Sequence, residues 1–302
     1  MDISFVVPTF KSSDFIVPTI ESVERACVGL EYEIILVDDA SDDAGALQAV
    51  ADRYPAVTLI VKAERSNAAD SRNIGIEHSS APYVFLLDSD DKVSAEHVHS
   101  RLAMMSTSSA GIIFGAYVMD FAGKSTKEHV VPYEGNDVRD HIFLANGDFR
   151  TSTISINRNY HKGTSFDPAT RKHQDWAFGI RCYDAGENIV YDARPTVEIG
   201  LARPSQMSAM MNVSASRYFI SSYLTESSHL YRFVEIHLAK AIGGRNREAL
   251  TYFLQVLPPP VTRKQRLIVG SMRSLLGIPG ALPLTAIAAN SARYLKNRIR
   301  FL

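Results

Sequence analysis

The 302-residue chain has only two cysteines, Cys27 and Cys182, and a single tryptophan, Trp176. Two cysteines cannot build a disulfide framework, and a 46% hydrophobic content makes one unnecessary. That usage fits a reducing, cytoplasmic compartment. Internal repeats and low-complexity tracts are absent, which sets aside repeat and fibrous architectures. The start, Met1-Asp2-Ile3-Ser4-Phe5, has no basic region and no cleavage site, so it reads as a first strand rather than a signal peptide. No acidic residue follows Glu248, although eight basic ones do: Arg263, Lys264, Arg266, Arg273, Arg293, Lys296, Arg298 and Arg300. Ser274 to Ala292 lacks any charge, but Gly277, Pro279, Gly280 and Pro283 interrupt it. Those breakers exclude a good spanning helix and leave a helix-turn-helix able to lie on a membrane.

What is present begins with alternating apolar runs and helical stretches. Strands are expected at 3–7, 33–37, 57–61 and 83–87. Helices are expected at about 14–27 (capped by Ser12, Ser13 or Asp14), 43–53 and 67–78. This β-α-β-α-β-α-β order predicts a mostly parallel sheet with helices on both faces. Pro8-Thr9 is expected to stop the first strand, since proline has no N–H to donate. Further on, a helix is expected near 94–107, strands at 111–118, 151–156 and 188–202, and a helix at 175–185 ended by Gly186. Segments 215–242 and 245–257 read as helices. The domain reading is 1–210 as an α/β catalytic domain and 211–302 as a helical region, basic at its end.

The run Tyr83-Val84-Phe85-Leu86-Leu87 ends in Asp88-Ser89-Asp90-Asp91. A short apolar run suits a strand buried on both faces, with the acids at its carboxyl end, where such sheets bind ligands. Crowded carboxylates repel unless a cation or raised pKa relieves them. They therefore suggest Mg²⁺ or Mn²⁺ held at Asp88, Asp90 and Asp91 and shared with phosphates. A helix cap is the plainer alternative, but a cap needs one carboxylate. Right-handed crossovers bring Pro8-Thr9-Phe10 and Asp38-Asp39 to the same edge. Asp175 opens a later helix, where capping is the plain reading; for Trp176, core packing competes with a sugar-ring platform.

These residues resemble family 2 glycosyltransferases of the GT-A fold. The resemblance rests on Val6-Val7-Pro8-Thr9-Phe10, Ile35-Leu36-Val37-Asp38-Asp39-Ala40-Ser41, Ser71-Arg72-Asn73-Ile74-Gly75 and Phe85-Leu86-Leu87-Asp88-Ser89-Asp90-Asp91. It is dense over about the first 100 residues and thins to Asp175 and the Arg203 loop. It implies an inverting transfer from a nucleotide diphosphate sugar, a UDP-sugar, to a hydroxyl of a glycan or lipid-linked glycan. Pro8, Thr9 and Phe10 would flank the base and ribose, and Asp39 would accept a hydrogen bond from uracil. Asp70 and Arg72 would lie beside the nucleotide. Asp88, Ser89, Asp90 and Asp91 would form the DxD-type metal and donor site. Asp175 would be the base that activates the acceptor, and Arg203 would meet the diphosphate. The family's Glu-Asp pair is here Gln174-Asp175, and a usual glycine before the Arg-Asn motif is replaced in Asn67-Ala68-Ala69-Asp70.

Three rivals compete. A haloacid dehalogenase-like phosphatase shares the strand-Asp-x-Asp pattern but normally carries it on the first strand. A nucleotidyltransferase wants a glycine-rich loop after that strand, and Lys11-Ser12-Ser13 has no glycine. A non-enzymatic binding module leaves the retained carboxylates unexplained. The basic tail suggests an anionic membrane surface, and so a peripheral position on the inner face. Nucleic acid is disfavoured because aromatics there are sparse. Self-association is left open.

Overall fold

The computed structural model describes residues 1–120, 126–200 and 211–259, and these form two compact units. The first comprises Met1–Val138 and Gly147–Pro204. Its elements begin β1 (Ile3–Thr9), α1 (Val17–Ala26), β2 (Tyr32–Asp38), α2 (Ala44–Ala51), β3 (Val57–Val61), α3 (Ala68–His78) and β4 (Tyr83–Leu86). There follow β5 (Lys92–Val93), α4 (Ala95–Thr107), β6 (Ile112–Gly115), β7 (Tyr117–Asp120) and β8 (Thr126–His129). A 3-10 turn at Thr151–Thr153 leads to β9 (Ser155–Asn157), α5 (Gln174–Asp184), β10 (Ile189–Asp192) and β11 (Val197–Gly200).

Seven strands form one sheet in the order β10-β6-β9-β4-β1-β2-β3. Neighbours run parallel except β9, which is antiparallel to both β4 and β6. A smaller sheet has the order β5-β11-β7-β8. Every residue of β1 is buried, as expected of a central strand covered on both faces. Phe5 and Phe85 stack across β1 and β4 with ring centroids 5.0 Å apart. Ile16, Ile20 and Val23 bury one side of α1 in the same cluster, as their spacing predicts. On α3, Gly75 lies so close to β1 that an added Cβ would overlap the Val6 side chain.

Several expectations needed correction. Pro8 does not stop β1, which runs to Thr9 in register with Asp38. Pairing with β4 has already ended at Val6, so the missing proline donor costs no ladder bond on that side. None of Ser12, Ser13 and Asp14 caps α1; Ile16 is its N-cap, and Pro18 sits in the first turn. The apolar stretch at 111–118 is two strands, because the chain passes at Ala116 from the large sheet to the small one. Residues 151–156 open as a 3-10 turn before becoming β9.

The second unit comprises Arg139–Asn146 and the chain from Ser205. Asp140–Leu144 is a π-helical turn, followed by α6 (Val213–Tyr223), α7 (Ser227–Gly243) and α8 (Arg247–Val256). The 215–242 stretch is thus two helices, parted at Leu224–Glu226. Phe219 and Phe233 stack at 5.3 Å, and His237 stacks on Phe233 at 4.0 Å. His229 pairs with Asp140 at 2.7 Å, tying the π-helical turn to α7. Segment 139–146, read from sequence as part of the catalytic domain, packs with these helices. No helix among the described residues is long and apolar enough to cross a membrane. The Arg203 loop and the basic stretch 262–302 lie outside the described residues.

Candidate active site

The parallel strands deliver three polar segments to one sheet edge. Thr9 ends β1, Asp38 ends β2, and Asp88 lies two residues past the end of β4. The Asp39 amide donates to the Thr9 carbonyl at 2.9 Å, and Leu87 donates to Val6 at 3.1 Å, so the strands stay joined up to the site. Asp38 is buried and turned to its own loop, where it accepts the Ser41 amide at 2.8 Å. Thr9 Oγ1 is buried and meets no hydrogen-bond partner among the described residues. Pro8 is buried; Phe10 is half-buried, with the Arg65 guanidinium 3.9 Å above its ring.

Beside β2, Lys62 binds two carboxylates, Asp39 at 2.7 Å and Asp70 at 2.6 Å. Its side chain is 8% exposed. Burial pulls the Lys62 pKa down, but the bonds to Asp39 and Asp70 outweigh it and raise it. Lys62 and Ser66, in turn, hold Asp70 below the usual carboxylate range. The Ser66 amide and Lys62 both reach Asp39 through Oδ1. Asn67 caps α3, its side chain accepting from the amides of Ala69 and Asp70. Sequence reasoning missed Lys62; the one signal was a lysine directly after a β-branched strand end.

The acidic turn after β4 is held by the chain around it. Asp91 donates its amide to the Asp88 carbonyl at 3.1 Å, and Thr19 Oγ1 donates to the Ser89 carbonyl at 3.0 Å. Ser152 Oγ accepts the Asp88 amide at 3.0 Å and donates to Asp91 at 2.5 Å. Asp91 also accepts the Gly200 amide at 2.9 Å. Burial, then Asp88 and Asp90, push Asp91 well above the usual carboxylate range. The three acids therefore do not act alike: Asp91 faces inward, whereas Asp88 is 39% exposed and Asp90 half-buried. Among the described residues, no three His, Cys, Asp or Glu side chains converge as a metal cage. Two partly accessible carboxylates with hard oxygens do fit a cation that takes its remaining ligands from phosphates and water.

Arg72 joins this turn to α5. Its guanidinium donates to Asp88 at 2.7 Å and to Gln174 Oε1 at 2.9 Å. Gln174 in turn donates to the Thr170 carbonyl at 2.9 Å. The residue that departs from the family's acidic pair thus anchors the start of α5. Next to it, Asp175 is half-buried and accepts the Trp176 amide at 2.9 Å. Burial, then Asp148, raise the Asp175 pKa to about 6, against the pull of Arg150 and Arg72. Asp148 lies in a stretch from which the sequence suggested little. It accepts the Trp176 indole N–H at 2.7 Å and the Tyr117 hydroxyl at 2.9 Å, and pairs with Arg150 at 2.9 Å.

Residues 4–169 match Glycosyl transferase family 2. The chain belongs to that family. Its relatives include the amylovoran biosynthesis glycosyltransferase AmsB of Erwinia amylovora, 28% identical over 213 residues, which are 64% of this chain and 68% of AmsB. The poly(ribitol-phosphate) β-N-acetylglucosaminyltransferase TarP of Staphylococcus aureus is 30% identical over 131 residues, which are 42% of this chain but only 40% of TarP. Among solved structures, S. aureus TarS 1–349 in complex with UDP-GlcNAc superposes with a TM-score of 0.63 at 16% identity, covering 99% of this chain and 92% of that one. The likeness shows the GT-A fold, a largely parallel sheet flanked by helices. The protein is therefore a glycosyltransferase of family 2, and the phosphatase and nucleotidyltransferase readings lose their support. The hollow of about 460 Å³ beside α6 and α8 in the second unit contains none of these sheet-edge groups.

Proposed function

We propose that this family 2 enzyme moves a sugar from a UDP-sugar to a hydroxyl of a glycan or lipid-linked glycan, with inversion at the anomeric carbon. One observation carries the reading. Arg72 bridges Asp88, at the donor end, and Gln174, which immediately precedes the candidate base. Donor site and base thus share a single cationic anchor.

In this reading Pro8, Thr9 and Phe10 flank the base and ribose, and Asp39 offers the oxygen not engaged by Lys62 to the uracil N–H. The unpartnered Thr9 Oγ1 is an available ribose contact. Asp70 and Arg72 border the nucleotide, and Arg203 adds positive charge near the diphosphate. Asp88 and Asp90 are the residues that would hold Mg²⁺ or Mn²⁺; such an ion, when bound, would neutralise charge building on the leaving diphosphate. Asp91 buttresses that turn from inside. Asp175 takes the proton of the acceptor hydroxyl as its oxygen bonds to the anomeric carbon and the bond to the diphosphate breaks. One base and one direct displacement invert the centre. UDP-GlcNAc bound to TarS supports the donor class, and the poly(ribitol-phosphate) named as the acceptor of TarP supports a polymeric hydroxyl acceptor.

The basic stretch from Arg263 to Arg300 suits an anionic membrane face, where a lipid-linked acceptor would lie. Co-sedimentation with anionic vesicles should be lost on deleting 262–302; equal partitioning of both forms would remove the membrane role.

The deciding test is Asp175→Asn. Transfer should fall by at least about 100-fold, the lower range for general-base catalysis. UDP affinity, measured by calorimetry, should stay within a factor of a few. Near-normal turnover would remove Asp175 from the reaction.

A further inference from the structure

We infer that Asp148 is a positioning residue for Asp175: it grips the indole of Trp176, fixes the first turn of α5, and keeps an anion beside the base. The inference rests on Asp175 being that base, and it concerns a residue that touches neither donor nor acceptor in our reading.

Three features converge on Asp148. Its side chain is only 12% exposed, yet it lies on a connecting segment rather than inside a strand or helix. A buried carboxylate is costly unless it is fully satisfied. Here the satisfaction comes from separate parts of the fold. Tyr117 belongs to β7, Trp176 to α5, and Arg150 to Asp148's own segment. The amide of Phe149 adds a further donor at 2.9 Å. Burial pushes Asp148 up, but Arg150, the indole, His129 and Tyr117 together hold it below the usual carboxylate range. It stays charged where the enzyme works.

The second feature is the local backbone of α5. His173, its N-cap, has φ 61° and ψ 34°, a left-handed conformation uncommon outside glycine. Strain of that kind persists only where surrounding contacts over-determine it. His173 stacks on Trp176 with ring centroids 5.1 Å apart, and Trp176 is the side chain that Asp148 holds. The third feature is sequence adjacency. Asp175 lies between Gln174, fixed by Arg72, and Trp176, fixed by Asp148. The carboxylate is therefore clamped from both chain neighbours, an arrangement that holds a base near its proton donor.

Among the described residues, the charged and titratable groups facing this place include Asp148 and Arg150 from their own segment, Arg72 from α3, and His173 at the helix start. His129 and Lys127 of β8 lie behind Asp148 and Tyr117. Among them, Asp148 raises the proton affinity of Asp175, while Arg150 and Arg72 lower it.

The test uses the full chain without substrate first. Carboxyl ¹³C resonances of aspartate-labelled protein are titrated, with Asp175 assigned from Asp175→Asn. In Asp148→Asn the Asp175 midpoint should move down by about one pH unit, since a like charge has been removed. A residue that only supports the fold would leave the midpoint where it was, and that result overturns the inference. Trp176→Phe is the second variant, because it keeps the ring and the Asp148 charge but loses the indole bond. The UDP-sugar among UDP-glucose, UDP-galactose, UDP-GlcNAc and UDP-GalNAc that most raises Tm serves as probe, with release of UDP as readout. The plateau kcat should drop at least tenfold with donor KM unchanged. Unchanged kcat would overturn the positioning role even if Asp148→Asn failed to fold. Asp175→Asn, read on the same probe, decides the base reading separately: full activity there sinks that reading, whatever Asp148 does.

Discussion

Arg72 stands between Asp88 and Gln174, 2.7 Å from one and 2.9 Å from the other, and no other described arginine donates to both. Its side chain is almost wholly buried, as is Gln174, so that bond is shielded from water, while the bond to the 39% exposed Asp88 is shielded from the Arg72 side. Arg72→Ala should therefore lower kcat/KM by about 100-fold, because losing a charged hydrogen bond of about 3 kcal/mol costs that much. Arg72→Lys should recover little, since an ammonium cannot span both acceptors as a planar fork does. Steady-state kinetics on the pair, alongside circular dichroism to confirm folding, checks both statements.

The pH profile should carry the mark of the base. As the proposed base, Asp175 would work only when deprotonated, and its pKa is raised to about 6 by burial and Asp148. The plateau in kcat should hold above that value, and turnover should fall about tenfold per unit below it. An ordinary aspartate would keep full activity down to about pH 4. A flat profile between pH 5 and 7 would show that another group takes the proton.

Lys62 should prove important to stability. Removing the ammonium leaves Asp39 and Asp70 facing each other in a shielded site. Lys62→Met should cost about 3 kcal/mol in chemical denaturation, the lower range for breaking a buried pair, since Asp70 is partly exposed. Adding Asp70→Asn should return part of that loss by removing one stranded charge. If the double variant is no more stable than the single one, the carboxylates are not electrostatically coupled through Lys62.

The acids after β4 should separate into ligands and buttress. Asp90→Asn should weaken Mn²⁺-dependent binding of UDP strongly and leave Tm nearly unchanged. Asp91→Asn should behave the other way, lowering Tm while leaving most metal affinity intact, because its oxygens are spent on Ser152 and Gly200. Calorimetry with and without Mn²⁺, beside thermal scans, distinguishes them. Equal loss of metal affinity in both would return Asp91 to the ligand set.

Gly200→Ala tests the same turn from β11. A Cβ there would stand 2.7 Å from the Asp90 carbonyl, closer than side-chain carbons come to backbone. The turn must shift, so UDP binding in Mn²⁺ should weaken by about tenfold, the equivalent of about 1.4 kcal/mol. An unaltered affinity would mean that β11 yields instead.

Much of this arrangement was legible in the residues themselves. The alternation of apolar runs and helices from Ile3 to Leu87 specifies the parallel half of the sheet, because the apolar runs are well bounded and each connection is short. The acids after β4 were visible for the same reason. What was hidden depends on contacts distant in sequence. Asp148 looks like any loop acid until Trp176 and Tyr117 are seen on it. Lys62 reads as a solvated strand end until Asp39 and Asp70 close around it. The inward turn of Asp91 could not be told from its neighbours, since its distinction lies in Ser152 and Gly200, 61 and 109 residues further along. The break at Ala116 left no composition mark, as both strands are apolar.

β9 is three residues long, and it lies between β4 and β6 although it follows both in the chain. The order of strands in space thus differs from the order in which a ribosome releases them. β1 to β4 can pair as soon as residue 86 has emerged, since each neighbour is already present. β6 has no slot beside β4 until Ser155–Asn157 arrive to fill it. Folding should therefore pause with one half of the sheet formed and its β4 edge exposed, a state that such long-range pairing makes slow to leave. The helix α5, which carries the proposed base, comes later still, so the site stays incomplete for as long as that pause lasts.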